Sequence, residues 1–152
     1  MSFTTSSIPP SVSTDNASTT VAGARLRGTL VSMGSADNVS VSFVWGPSPG
    51  LLTSTSETYP AMVMPTTGGF YWDLTSLPTN TTFYYKAKAE GDGAPVYGDE
   101  TSFTTGTVSP TVTTGEATVV RATSATLNGY LDERGTAGTI TVHFAWGTAA
   151  GG

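Results

Sequence analysis

The sequence predicts an all-β protein built on an antiparallel sandwich of about seven short strands. Three observations carry that expectation. Apolar and polar residues alternate with a period of two in run after run, the mark of a strand with one face in a core and one in water. Turn signals rich in Gly, Pro, Asn and Asp, such as MGSADN, GPSPG, TTGG and GDGAP, separate the runs. No window combines a 3.6-residue period with helix caps.

The elements follow in order. The expected strands are 11–14, 24–32, 38–46, 57–63, 69–75, 82–90 and 96–105. In ARLRGTLVS the residues Ala24, Leu26, Gly28 and Leu30 share a face, as do Val39, Val41, Phe43 and Trp45 in NVSVSFVWG. Phe70, Trp72 and Leu74 alternate with Tyr71 and Asp73, and Phe83, Tyr85, Ala87 and Ala89 alternate with Tyr84, Lys86 and Lys88. The expected core is Phe43, Trp45, Phe70, Trp72, Leu77, Phe83, Tyr85 and Phe103. The apolar run in YPAMVMP sits between Pro60 and Pro65, which remove backbone donors and discourage a second chain from pairing there.

A repeat runs through the chain. SFTTSSIPPSV at 2–12 returns as SFTTGTVSPTV at 102–112, and GTLVSMGSADNVSVSFVWG at 28–46 returns as GYLDERGTAGTITVHFAWG at 129–147, with one residue gained in between. Expected organisation is therefore the last strand of a preceding repeat plus linker at 1–9, a complete domain at 10–105, a linker at 106–109, and the first three strands of a second, incomplete domain at 110–152. In that second domain Phe144 and Trp146 take the core positions of Phe43 and Trp45. Uncovered, its apolar face would meet water, so strand exchange between neighbours is one expectation, with Phe3, Ile140 and Val142 as the candidates. The other is a longer tandem array whose missing strands follow Gly152.

Composition narrows the function classes. Hydrophobic residues make up 38% of the 152 positions and charged residues only 11%, which is not the balance of a disordered chain. The net charge of -5, with six scattered Lys and Arg, argues against nucleic acid or an anionic membrane as partner. No apolar run is long enough for membrane insertion, and no secretory leader is visible in the sequence. The absence of cysteine excludes disulfides and thiolate metal sites.

The run SLPTNTTFYYKAKAE (76–90) ending in YGDETSFTTG (97–106) resembles the closing half of a fibronectin type III domain of bacterial and archaeal surface proteins. TVTTGEATVVRATSATLNGYLDE (111–133) followed by VHFAWG (142–147) resembles the opening half. The resemblance implies a Greek-key sandwich and an extracellular or cell-surface location. Two departures stand out. Proline falls one place early, at Pro78, and Phe83 takes the place of a tyrosine whose hydroxyl closes a corner in that family, so a looser corner is expected.

No catalytic, metal or cofactor constellation assembles. The single histidine, His143, is out of phase with the apolar face and corresponds to Ser42 in the repeat. The neighbours Asp99 with Glu100 and Asp132 with Glu133 point to opposite faces of any strand, and the EGDG stretch at 90–93 offers too few oxygens for calcium. Tyr71 and Tyr84 are the outward aromatics that could stack on a sugar, with Tyr59 less certain. The sequons at Asn16, Asn38 and Asn80, placed at turns or strand ends, would accept glycans in a glycosylating host. The expected function is a non-enzymatic structural or adhesive module of a stalk, adhesin array or filament that associates with neighbouring repeats or subunits. A virion decoration or tail module and a carbohydrate-binding accessory domain are the alternatives.

Overall fold

The computed structural model describes residues 6–50, 57, 58 and 60–148. Phe3 and Tyr59 lie outside them. The described residues form ten strands and no helix: β1 (Ser11–Thr20), β2 (Gly23–Ser32), β3 (Val39–Gly46), β4 (Met62–Met64), β5 (Gly68–Leu74), β6 (Thr82–Glu90), β7 (Val96–Tyr97), β8 (Thr101–Thr104), β9 (Thr111–Thr118) and β10 (Thr126–Glu133). The chain divides into two compact units, Met1–Gly106 and Thr107–Gly152.

In the first unit two antiparallel sheets face one core. One has the order β1-β2-β5, and the other the order β4-β3-β6-β7 with β8 also on β6. The period-two faces supply the core directly. Leu26, Leu30, Phe70 and Leu74 come from the first sheet, and Val39, Val41, Phe43, Phe83, Tyr85, Ala87, Ala89 and Phe103 from the second. Phe43 sits 5.0 Å from Phe70 and 6.2 Å from Tyr85 between ring centroids, and Phe83 stacks on Phe103 at 5.6 Å. The Phe43–Phe70 contact joins the two sheets by dispersion and apolar burial, and the other two pack the inner face of the second sheet. Leu77 is buried, whereas Trp45 and Trp72 are half-buried at the rim and pack against the cluster.

Several elements depart from the period-two reading. β1 runs on to Thr20 because pairing with β2 holds a polar stretch that has no apolar alternation of its own. Three residue steps from Asp15 to Ser18 face two on β2, a bulge that holds Asn16 and Ala17. The strand expected at 57–63 is replaced by β4, three residues long at a sheet edge, and by a lone bridge between Glu57 and Val44. The strand expected at 96–105 is broken into β7 and β8. Between them four residue steps face three on β6, and Gly98 passes so close to Thr14 that a Cβ would collide with it.

The corner before β6 is tied by other groups than the family tyrosine. The buried Thr105 hydroxyl donates to the Pro78 carbonyl at 2.6 Å and accepts from the Thr81 N–H at 2.9 Å. The Tyr85 hydroxyl donates to the Asp15 carbonyl at 2.5 Å, linking β6 to β1 across the two sheets. The expected loosening at Phe83 is therefore offset by bonds the sequence pattern did not reveal.

The second unit is a two-stranded antiparallel sheet of β9 and β10. Its bulge repeats that of β1, since Gly115 pairs Asn128 and Thr118 pairs Thr126, and the inserted residue falls in the hairpin between the strands. The third strand expected here does not form. Its counterpart β3 is held by β4, β6 and the bridge to Glu57, no equivalents of which stand among the described residues of the second unit, and residues 139–147 join no ladder there.

Candidate functional site

Two features of the surface repeat between the units or differ between them in a way that bears on function. The first is a clamp on the segment that enters each unit. The Ser35 N–H donates to the Ile8 carbonyl at 2.9 Å and the Ile8 N–H donates to the Ser35 hydroxyl at 3.0 Å. In the second unit the Thr136 N–H donates to the Val108 carbonyl at 2.9 Å and the Val108 N–H to the Thr136 hydroxyl at 3.2 Å. Both backbone groups of one entry residue are thus satisfied by one turn residue, in both copies.

The glycine before that turn residue makes the close approach possible. Gly34 and Gly135 have φ of 63° and 59°, and a Cβ at either would run into the carbonyl of Ile8 or Val108. In the first unit the Ser35 hydroxyl also donates to the Asp92 carboxylate at 2.8 Å, so the clamp reaches the EGDG turn. Sequence reasoning read MGSADN only as a turn. The signal was present in the alignment, where Gly34 and Ala36 recur as Gly135 and Ala137 and serine is replaced by threonine, keeping the hydroxyl.

The second feature is the apolar face of the second unit. Phe43 is 1% exposed and its counterpart Phe144 48%; Val41 is 1% exposed and Val142 62%; Leu26 is fully buried and Leu127 40% exposed. Trp146 is 79% exposed. Phe144 and Trp146, expected in a core, are therefore on the surface, since no counterpart of the elements that cover Phe43 and Trp45 stands among the described residues of this unit. Phe144 lies over Gly129, where it fills space that Phe70 and Ala87 fill over Gly28. Beside it runs a groove of ≈ 420 Å³ lined by Val112, Leu131, Ile140 and Val142 among others, with the exposed His143 at its side.

The remaining candidates are dispersed. Tyr71 is on β5 and Tyr84 on β6, in different sheets, and the Arg25 guanidinium covers the Tyr71 ring at 4.2 Å while forming a two-pronged pair with Asp73 at 2.7 and 2.8 Å. That pairing holds the Asp73 carboxyl below its ordinary range. Burial works to raise the Glu57 carboxyl, but the Ser42 hydroxyl at 2.6 Å and the Lys88 ammonium at 3.1 Å together hold it low. Asp132 accepts from the Thr113 hydroxyl, and Glu100 meets Lys86 and the Gly50 N–H. Among the described residues no three His, Cys, Asp or Glu side chains gather as a metal site. Among the described residues no helix is long and apolar enough to cross a membrane. Asn16, Asn38 and Asn80 are all exposed, with Asn16 in the β1 bulge rather than at a strand end.

No family model matches the chain, and no curated protein matches it. Two solved structures are similar, both of the sensor domain of the anti-sigma factor RsgI4 from Pseudobacteroides cellulosolvens. One is 20% identical, covers 64% of this chain and 95% of that chain, and has a TM-score of 0.43. The other, a solution structure, is 18% identical, covers 64% of this chain and 76% of that chain, and has a TM-score of 0.42. Both are described as sensor domains and neither as a fibronectin type III repeat.

Proposed function

We propose that this chain is a non-enzymatic structural repeat module of an extracellular surface assembly, such as a stalk, adhesin array or filament, whose units are Greek-key sandwiches of the fibronectin type III kind. The observation that carries the reading is the duplicated entry clamp. A clamp copied with its glycine, its hydroxyl and its reciprocal backbone bonds makes the segment entering each unit a built part of that unit. A tied entry segment suits a stiff spacer, because it removes freedom at the joint between repeats. The separation of Tyr71 and Tyr84 onto different sheets weighs against a single sugar-stacking platform.

In this reading the cross-strand ladders and aromatic core supply rigidity, the prolines at 9, 10 and 110 stiffen the joints, and the short proline-flanked β4 edge limits uncontrolled pairing. Self-association with neighbouring repeats or subunits is the partner interaction. The intact mass of the native polypeptide, measured alongside images of the native assembly, tests it. A mass near 15.6 kDa in fibres supports assembly from separate subunits, and a much larger mass supports a tandem array. A free, monomeric 15.6 kDa protein with no assembly around it would overturn both.

A further inference from the structure

We propose that the open face of the second unit is a docking site for one antiparallel β-strand with the side-chain pattern of β6, carried by the closing half of a further repeat. This inference rests on the structural-repeat reading and names what completes its second unit. The first unit supplies the template. There β3 pairs β6 with Trp45 opposite Tyr85, Phe43 opposite Ala87 and Val41 opposite Ala89. The corresponding residues, Trp146, Phe144 and Val142, are those left exposed in the second unit.

Three requirements define the occupant. Residues 139–147 join no ladder among the described residues, so an incoming strand gains backbone hydrogen bonds there as well as apolar burial. The positions facing Phe144 and Val142 must be small. Over Gly28 the Ala87 methyl already comes within 3.1 Å of where a Cβ would stand, and Gly129 keeps the same bare backbone for a similar neighbour. The position beside Trp146 must be aromatic, as Phe83 is to Trp45 at 5.8 Å with edge-on rings. A second copy of this chain does not meet these needs, because its β6 is already paired by β3 on one edge and by β7 and β8 on the other. Docking also requires Phe144 to leave Gly129, so that the incoming small residue can take its place.

The test uses the full chain and a synthetic peptide of residues 77–105, which carries β6 to β8, followed by amide hydrogen exchange. Expected is one peptide per chain and exchange at residues 140–147 slowed roughly tenfold or more. The variant Val142→Lys, at an exposed site, should abolish the slowing while leaving exchange in β2, β3 and β6 unchanged. A peptide carrying Ala87→Leu and Ala89→Leu should bind at least roughly tenfold more weakly. Absence of slowing at saturating peptide would overturn the proposal, as would slowing that survives Val142→Lys. Protection of 140–147 in the full chain without peptide, together with dimer formation, would make a second copy the occupant and overturn it equally. Peptide binding alongside a native protein that proves monomeric and free would retain the docking site and remove the assembly.

Discussion

Tyr85 shows how one side chain serves both sheets. Its ring is buried in the aromatic cluster and its hydroxyl bonds the β1 backbone. Burial pushes its pKa up to about 12, with a hydrogen bond from the Ala17 backbone opposing and the nearby Asp15 charge adding to the rise. The unfolded chain releases this proton near pH 10 and the folded chain holds it, so the contribution to stability is complete below pH 10 and is lost as pH rises towards 12. The loss is of order 2–3 kcal/mol. Urea midpoints at pH 9 and pH 11 check this: Tyr85→Phe should lower the midpoint at pH 9 by a bond worth about 1 kcal/mol and flatten the fall between the two. The tryptophans invite a second comparison. Phe43→Ala should cost about 3–5 kcal/mol, whereas Trp72→Ala, at the half-buried rim, should cost less despite its larger ring, in urea unfolding of both variants. A greater loss at Trp72 would reverse the assignment of centre and rim.

At the scale of elements, the sequence makes legible those strands whose burial follows their own alternation. β2, β3, β5 and β6 are such strands, and their inward residues include the Phe43, Phe70 and Tyr85 that meet between the sheets. Elements set by a tertiary partner were not legible. The polar second half of β1 is held by β2, the break between β7 and β8 follows the passage of Gly98 over Thr14, and residues 139–147 lack the neighbours that make β3 a strand. Ser42 and Val44, outward by alternation, are buried because the segment at Glu57 and Thr58 pairs along β3. The clamp belongs to this class, since nothing local to MGSADN says that its partner is Ile8. Gly34→Ala tests it: a left-handed backbone carrying a Cβ aimed at the Ile8 carbonyl should cost about 1–3 kcal/mol. Amide exchange at Ile8 and Ser35 should rise while the β2–β5 ladder stays protected, and unchanged exchange at those two amides would mean the entry segment is held by something else.

For the molecule as a whole, the two units pose one experiment on the worth of a second sheet. They share a bulge, a clamp and most of an apolar pattern, yet only the first encloses that pattern between two sheets. Local pairing is therefore closely matched, and the difference lies in burial: the first unit removes Leu26, Val41 and Phe43 from water, and the second leaves Leu127, Val142 and Phe144 in it. Each such side chain is worth about 1.5–3 kcal/mol when fully buried, so three of them alone exceed what a two-stranded hairpin can supply by itself. Hydrogen exchange followed through a urea titration should accordingly show amides of β2, β3 and β6 exchanging only with global unfolding of the first unit. Amides of β9 and β10, with the same bulge register, should exchange orders of magnitude faster and with little dependence on urea, as local openings do. Equal protection in the two units would mean that β9 and β10 draw stability from a source other than a buried core.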